Sequence, residues 1–235
     1  MYTDNHYSTY TNMYTGMNLN SIISICLYGF LYILFFIIWM QIKKHLKHSK
    51  SYKEQLIVKN RIVRNHFVFK NTLFTQKNFT FPVPMIYLGN KDSNIELTIY
   101  TSLYCEMCKD VYDTIERLFL AYEDQIKINV YFKTFPKEDH NYFLHILYNV
   151  FLDQGGGEFL KALNLGLKND NFKSIKISNN YVKKDHQNSF NSISNWFYIN
   201  GLIGTPSIFI NGYIYPYEFT KDDLYYHIEG FIENN

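Results

Sequence analysis

Residues 22–40, IISICLYGFLYILFFIIWM, form an uninterrupted apolar run without a single charge. As a helix rising about 1.5 Å per residue the run would be roughly 29 Å long, enough to cross the hydrocarbon core of a bilayer. We read residues 22–42 as one transmembrane helix preceded by a short tail, 1–21. A cleavable signal peptide is the competing reading. It fails on the length of the run, on the absence of basic residues ahead of it, and on the lack of a small-x-small site behind it. Cys26 lies inside the run and reads as a lipid-facing or packing residue, and Ile25 before it rules out a lipobox. Trp39, with Lys43, Lys44 and Lys47 close behind, marks the membrane interface.

Charge divides the rest of the chain. Residues 43–91 carry eleven Lys and Arg against Glu54 alone, whereas 92–235 carry twelve against nineteen acids, so a net charge of +2 conceals a basic neck and an acidic body. The neck, residues 43–80, mixes bases with aromatics such as Arg61, Arg64, Phe67 and Phe69, and reads as a solvated stretch near anionic headgroups. Nucleic acid is a poor partner for a membrane-tethered chain with an acidic body. The positive-inside rule puts the Lys-rich side, and with it the body, in the cytoplasm.

From residue 81 the pattern becomes that of a compact α/β domain. Phe81-Pro82-Val83-Pro84 must be extended, residues 85–88 fit a short strand, and Gly89-Asn90 fits a turn. Glu96–Thr101 (ELTIYT) is β-branched and alternating, hence a strand. Behind Cys105, Met107, Val111, Ile115, Leu118, Phe119 and Tyr122 recur at helical spacing. Residues 126–132 supply the next strand and complete a β-α-β unit. Residues 141–154 and 158–167 predict two helices interrupted by Gly155-Gly156-Gly157, and 185–199 a third with Phe190, Ile193 and Phe197 on one face; together they form a helical insertion over about 140–200. Asn211-Gly212 between two β-rich runs is a strong hairpin signal. Thr220 with Asp223 three residues on is a capping-box pattern that opens a last helix, residues 221–231.

The chemistry centres on Cys105 and Cys108. A C-x-x-C pair at a strand-to-helix junction places the first thiol among unpaired backbone N–H groups at the positive end of the helix dipole, and the second one turn along. The same pair is also half of a zinc site, but two further ligands are needed, and His140 and His145 are badly spaced to provide them. Copper carriage on the two thiolates remains an alternative. About a hundred residues downstream, Thr205-Pro206 stands directly before a strand and hairpin. X-Pro bonds are the ones that readily become cis, and a Pro opening a strand leaves backbone groups free for an incoming extended peptide.

A C-x-x-C pair after the first long strand, a Thr-Pro before a hairpin and a final helix, in the order β-α-β … β-β-α, resembles the thioredoxin superfamily. Within it the chain is similar to the DsbA-like, helix-inserted branch. It looks most like the membrane-tethered thioredoxin-like domains that accompany vitamin K epoxide reductase-type modules in bacteria. The likeness covers roughly residues 40–235 and is carried by Leu88-Gly89-Asn90, Tyr104-Cys105-Glu106-Met107-Cys108, residues 205–213 (TPSIFINGY) and Pro216. It implies an α/β thioredoxin-like domain at 81–235, thiol–disulfide exchange with protein substrates, Cys105 as attacking thiol, Cys108 as resolving thiol, and Pro206 as a cis-proline facing them. Thr205 and Tyr104 would line the substrate groove. It requires no cofactor, and it implies a body outside the cytoplasm, against the charge rule. The Gly-Pro usual between the cysteines is Glu106-Met107 here, and the four-helix quinone-reducing module is absent from this sequence, so a membrane dithiol oxidase or reductase would be the electron partner. A metal-delivery or non-catalytic binding module using the same cysteines is the alternative.

Glu106 beside Cys105 should disfavour the thiolate and raise its pKa, which predicts a pair of reducing poise. Trp196 reads as a core or interface residue, and His227 as a helix-surface or capping residue. The Gly155–Gly157 run lacks a following Lys-Ser/Thr and is a hinge and not a phosphate loop.

Overall fold

The computed structural model describes residues 19–135, 141–169 and 184–234. The predicted tail up to residue 18, His140 and part of the insertion lie outside these residues. The chain divides into two units, residues 1–60 and 61–235.

In the first unit the apolar run is helical, as its composition requires, and belongs to α1 (Leu19–Val63), a helix long and apolar enough to cross a membrane. No residue of α1 is buried. Helical structure continues through the Lys-rich residues that follow the apolar run, where Lys, Gln and Leu are all good helix formers.

The second unit begins twenty residues earlier than the sequence pattern placed it. Asn65 caps α2 (His66–Phe74), its Oδ1 accepting from the Val68 N–H at 3.2 Å. Phe69 and Leu73, one turn apart on this short helix, are fully buried in the core of the body. Residues 66–74 are therefore structural and not part of a solvated neck.

The sheet holds five strands, β1 (Ile86–Gly89), β2 (Glu96–Thr101), β3 (Lys127–Phe132), β4 (Ser207–Ile210) and β5 (Tyr213–Ile214), in the order β1-β3-β2-β4-β5. Parallel strands cannot be joined by a tight turn. β2 and β3 are accordingly the parallel pair, connected by α3 (Glu106–Tyr122), and β1, β4 and β5 each run antiparallel to their neighbours. Between β3 and β4 come α4 (Tyr142–Asn169) and α5 (Lys184–Ile199), and the body closes with a 3₁₀ turn (Lys221–Asp223) and α6 (Leu224–Glu233). This is a thioredoxin-like sheet with a helical insertion.

Period-two alternation decides which side chains reach the site. Leu97, Ile99 and Thr101 lie opposite Ile128, Val130 and Phe132 on one face. That face packs in the same core as Val111, Tyr112, Ile115 and Leu118 of α3. Tyr100, Tyr131 and Phe209 occupy the other face under α5, with Tyr100 stacked on Phe197 at 4.0 Å between ring centroids. Both faces are covered, which is why β2 is buried over five consecutive residues.

Two glycines are dictated by geometry. Gly89 has φ 77°, and a Cβ there would lie 2.2 Å from the Ile126 carbonyl oxygen. Asn211 and Gly212 both have positive φ, 50° and 85°, as the hairpin reading of Asn-Gly requires. Gly155 (φ 83°) breaks α4 into two helical pieces, as the triple-glycine run predicts. The capping box fails: Thr220 makes no side-chain cap bond and instead donates its hydroxyl to Asp223 Oδ2 at 2.7 Å. His227 is also not a surface residue, being 1% exposed and stacked on Phe69 at 3.7 Å.

Candidate functional site

Residues 102–105 carry the chain from the end of β2 into α3. The Tyr104 N–H donates to Ser102 Oγ at 3.3 Å and the Cys105 N–H to the Ser102 carbonyl at 3.3 Å, forming a tight turn. Cys105 is the N-cap of α3, with extended backbone angles (φ −106°, ψ 112°). Its side chain therefore stands at the helix end where backbone donors lack intrahelical partners. Cys108 follows one turn later, its N–H donating to the Cys105 carbonyl at 3.0 Å. Both are free thiols; Cys105 is partly exposed and Cys108 is fully buried.

The loop before β4 completes the site. The Thr205–Pro206 bond is cis, and the Cys105 thiol donates to the Thr205 carbonyl at 3.2 Å across a hundred residues of sequence. Ser207 Oγ donates to the Gly204 carbonyl at 2.7 Å and ties the loop to the start of β4. Four of the residues singled out in the sequence, Cys105, Cys108, Thr205 and Pro206, thus belong to one site. Tyr104 sits beside it with its ring 50% exposed and edge-on to Phe135 at 5.6 Å.

The two thiols are pushed apart electrostatically. Burial is the largest influence on Cys105 and raises its pKa. It is outweighed by the Cys108 thiol, the Thr205 side chain and the backbone N–H groups of Cys108 and Met107, so Cys105 lies below the usual thiol value. At Cys108 burial is again the largest influence, Cys105 adds to it, and the thiol is pushed up to about 11. Of the two thiols, the accessible one is therefore the easier to ionise and the buried one the harder.

Glu106 does not act as the sequence reading expected. Its side chain is 84% exposed and its carboxylate pairs with Lys109 at 3.1 Å, so solvent and a cation both neutralise it. Glu106 is not among the main influences on Cys105, whose pKa lies below the usual thiol value. A more stable thiolate favours the reduced form and makes a pair more oxidising, so the expectation of a reducing poise loses its basis. Met107, assigned to the buried face of α3, is 63% exposed.

Two residues of this region were missed. Thr101 ends β2 and Tyr112 lies one turn beyond Cys108; their hydroxyls are 2.8 Å apart and both residues are 1% exposed. The signals were present in the sequence. Alternation puts Thr101 on the α3 side of β2, and an i, i+4 spacing puts Tyr112 on the same helix face as Cys108. Among the described residues no group of three or more His, Cys, Asp and Glu is placed to hold a metal ion. His145 is buried within α4.

A cavity of about 550 Å³ adjoins this region, lined among others by Lys133, Phe135, Ser194, Tyr198 and Ile203. Phe135 is the residue that meets Tyr104, and Ile203 lies two positions before Thr205.

No family model and no curated protein matches the sequence. Solved structures similar to the chain include a periplasmic thioredoxin-like protein from Salmonella enterica serovar Typhimurium, at 14% identity and a TM-score of 0.48 over 65% of this chain and 93% of that one. Proteus mirabilis ScsC in a transitional conformation has 15% identity and a TM-score of 0.48, covering 80% of this chain and 99% of that one. Oxidised BdbD from Bacillus subtilis has 12% identity and a TM-score of 0.44, covering 63% and 92%. The thioredoxin-like fold of this chain rests on its own sheet order and on the helices inserted between β3 and β4.

Proposed function

We propose that the chain is a membrane-anchored thiol–disulfide oxidoreductase. The observation that carries this reading is the division of labour between the thiols: Cys105 is partly exposed, at a helix N-terminus and shifted toward the thiolate, while Cys108 is buried and shifted toward the thiol. A nucleophilic thiol has to be accessible and ionised, and a resolving thiol has to wait.

In the reducing direction the Cys105 thiolate attacks one sulfur of a substrate disulfide, and the substrate's other sulfur departs with the bonding electron pair. Cys108 then attacks the Cys105 sulfur of the mixed disulfide. The Cys105–Cys108 bond forms, the bond to substrate breaks, and the substrate leaves as a thiol after taking up the proton lost by Cys108. The reverse sequence oxidises a dithiol. The substrate chain lies along the Thr205–Pro206 loop and Tyr104, and the neighbouring cavity receives its flanking residues. The electron partner is a membrane dithiol oxidase or reductase, and the reaction needs no cofactor.

The apolar part of α1 is the anchor, and the redox body works outside the cytoplasm, where disulfides persist. The Lys-rich stretch after the apolar run argues for the opposite orientation. Labelling of Cys105 in intact cells by a membrane-impermeant alkylating agent decides between them: protection of Cys105 until the cells are opened would put the body in the cytoplasm. The activity itself is tested with the purified full chain in detergent, free of added metal. It should exchange glutathione disulfide catalytically, and failure to do so would overturn the reading.

A further inference from the structure

The buried end of the cysteine pair poses a problem that the exchange chemistry leaves open. Cys108 must become nucleophilic during resolution, yet it has no exposed surface and burial opposes its ionisation. We propose that the Thr101–Tyr112 hydroxyl pair is the positioning element that makes this possible: Tyr112 Oη donates to Thr101 Oγ1, and as Cys108 ionises Thr101 Oγ1 turns its own proton toward the Cys108 sulfur. The proposal rests on the thiol–disulfide reading of the same site.

The direction of the chain follows from proton counting. A hydroxyl has one proton, so Thr101 can donate to sulfur only if its bond with Tyr112, 2.8 Å long, is donated by Tyr112. Burial keeps the Tyr112 phenol protonated, well above its ordinary value, and so always able to donate. The Thr101 side chain acts on Cys108 in the sense that favours the thiolate, and Cys105 and Tyr112 are the titratable groups coupled to it. The fold fixes both partners. Thr101 lies opposite Phe132 in the β2–β3 ladder, and Tyr112 sits four residues beyond Cys108 on the same helix. Both hydroxyls and the Cys108 thiol are buried, and away from water a donor's effect on a developing charge is strongest. In the resolving step the proton leaves Cys108 for the departing substrate sulfur, and the two hydroxyls shift no proton of their own; they stabilise the charge that forms in between.

The test separates the two chemical steps. The reduced full chain, in detergent and in a Cys26→Ser background, is mixed with 5,5′-dithiobis(2-nitrobenzoate). The first thionitrobenzoate released reports attack by Cys105, and the second reports displacement by Cys108. Thr101→Val should slow the second release on the order of 10-fold at neutral pH and move its pH profile upward, while the first is unchanged. Tyr112→Phe should act in the same direction by a smaller factor, because Thr101 keeps its own proton, and Thr101→Ser should restore the second step. A second release unaffected in both variants, or two steps that fall in parallel, would show that the pair only packs the core and overturn the proposal. A wild-type chain that never gives the second release has no resolving thiol, and then the oxidoreductase reading fails and takes this inference with it.

Discussion

Two of the body's buried polar clusters treat the cost of burial in opposite ways. Around His227 the groups meet partners fixed by the fold. Nε2 faces the Val63 carbonyl at 3.0 Å and so carries the proton, and Nδ1 faces Tyr215 Oη at 2.8 Å. Asp223 accepts from Arg64 Nε at 2.9 Å and from Thr220 Oγ1 at 2.7 Å. Around Cys108 the burial is as complete, but its contacts lead through Cys105 to a sulfur that solvent can reach. Burial of polar atoms is therefore no mark of function by itself. A cluster whose contacts end on one another fastens α2 and α6, whereas one that ends on an accessible, ionisable atom can do chemistry.

The sharpest way to break this contrast is to delete the accessible atom. Cys105→Ala should lower exchange with glutathione disulfide by on the order of 10³-fold or more, since of the other two thiols Cys108 is buried and Cys26 lies in the apolar part of α1. Cys108→Ala should instead accumulate mixed disulfides, seen as a mass increase that dithiothreitol reverses. Cys105→Ala should leave the unfolding midpoint nearly unchanged, whereas Cys108→Ala should lower it modestly because its side chain is buried in the core. If Cys105→Ala keeps turnover and Cys108→Ala loses it, the two roles are exchanged.

The His227 cluster should respond in the converse manner. Phe69 is fully buried, stacked on His227 and edge-on to Phe219 at 5.0 Å. Phe69→Ala should cost about 3–5 kcal/mol in denaturant unfolding. Alkylation of Cys105 below the unfolding transition should keep its wild-type rate. A changed rate would mean that the two clusters are one coupled network.

These two regions were not equally legible in the sequence. The cysteine site was readable because each of its parts has a local signature: a β-branched strand, a C-x-x-C at its end, an X-Pro before a hairpin. The His227 cluster has none. Phe69 and Leu73 stand among three further apolar residues, Phe67, Val68 and Phe74, that stay exposed, and a nine-residue helix is too short for a periodicity to tell them apart. Their burial depends on α6, some 150 residues away, and only tertiary structure makes that contact. Thr101 and Tyr112 failed for a milder reason: each was assigned to the right element, but a buried hydroxyl pair shows only when two elements are brought together. Glu106 was misjudged because adjacency in sequence was taken for proximity in a low dielectric, whereas the carboxylate is in solvent.

Acid should loosen one cluster without touching the chemistry of the other. Burial is the largest influence on His227 and depresses its folded pKa below the ordinary 6.5, against weaker opposing contributions from the Val63 carbonyl and Asp223 and in concert with Arg64 and His66. A depressed folded value contributes stability that is fully present above the unfolded pKa and is lost as pH falls below it. At Asp223 burial raises the pKa, but Thr220 and Arg64 outweigh it and the carboxyl ends below its ordinary 3.8. It contributes in the same sense, in a lower window. Denaturant midpoints across pH should therefore decline in two stages on acidification. His227→Gln should flatten the upper stage and Asp223→Asn the lower. A midpoint that rises on acidification would contradict the sign at His227.

The smallest effect expected is at Glu106, and it tests whether the cysteine site is as well insulated from its surface charges as the geometry indicates. An exposed carboxylate already paired with Lys109 has little field left to exert on a sulfur held by backbone donors. Glu106→Gln should move the reduction potential of the pair by less than about 10 mV, where 30 mV corresponds to about 1.4 kcal/mol. Lys109→Gln is the more informative change, because it leaves Glu106 without its cation. Thiolate formation at Cys105 should then become harder, its pKa should rise, and the potential should become more negative, since a less stable thiolate disfavours the reduced form. The double variant should return to the wild-type potential. Equilibration of all four proteins with glutathione redox buffers measures this directly. A shift of about 30 mV from Glu106→Gln alone would show that Lys109 does not neutralise the carboxylate and that surface charge reaches Cys105 after all.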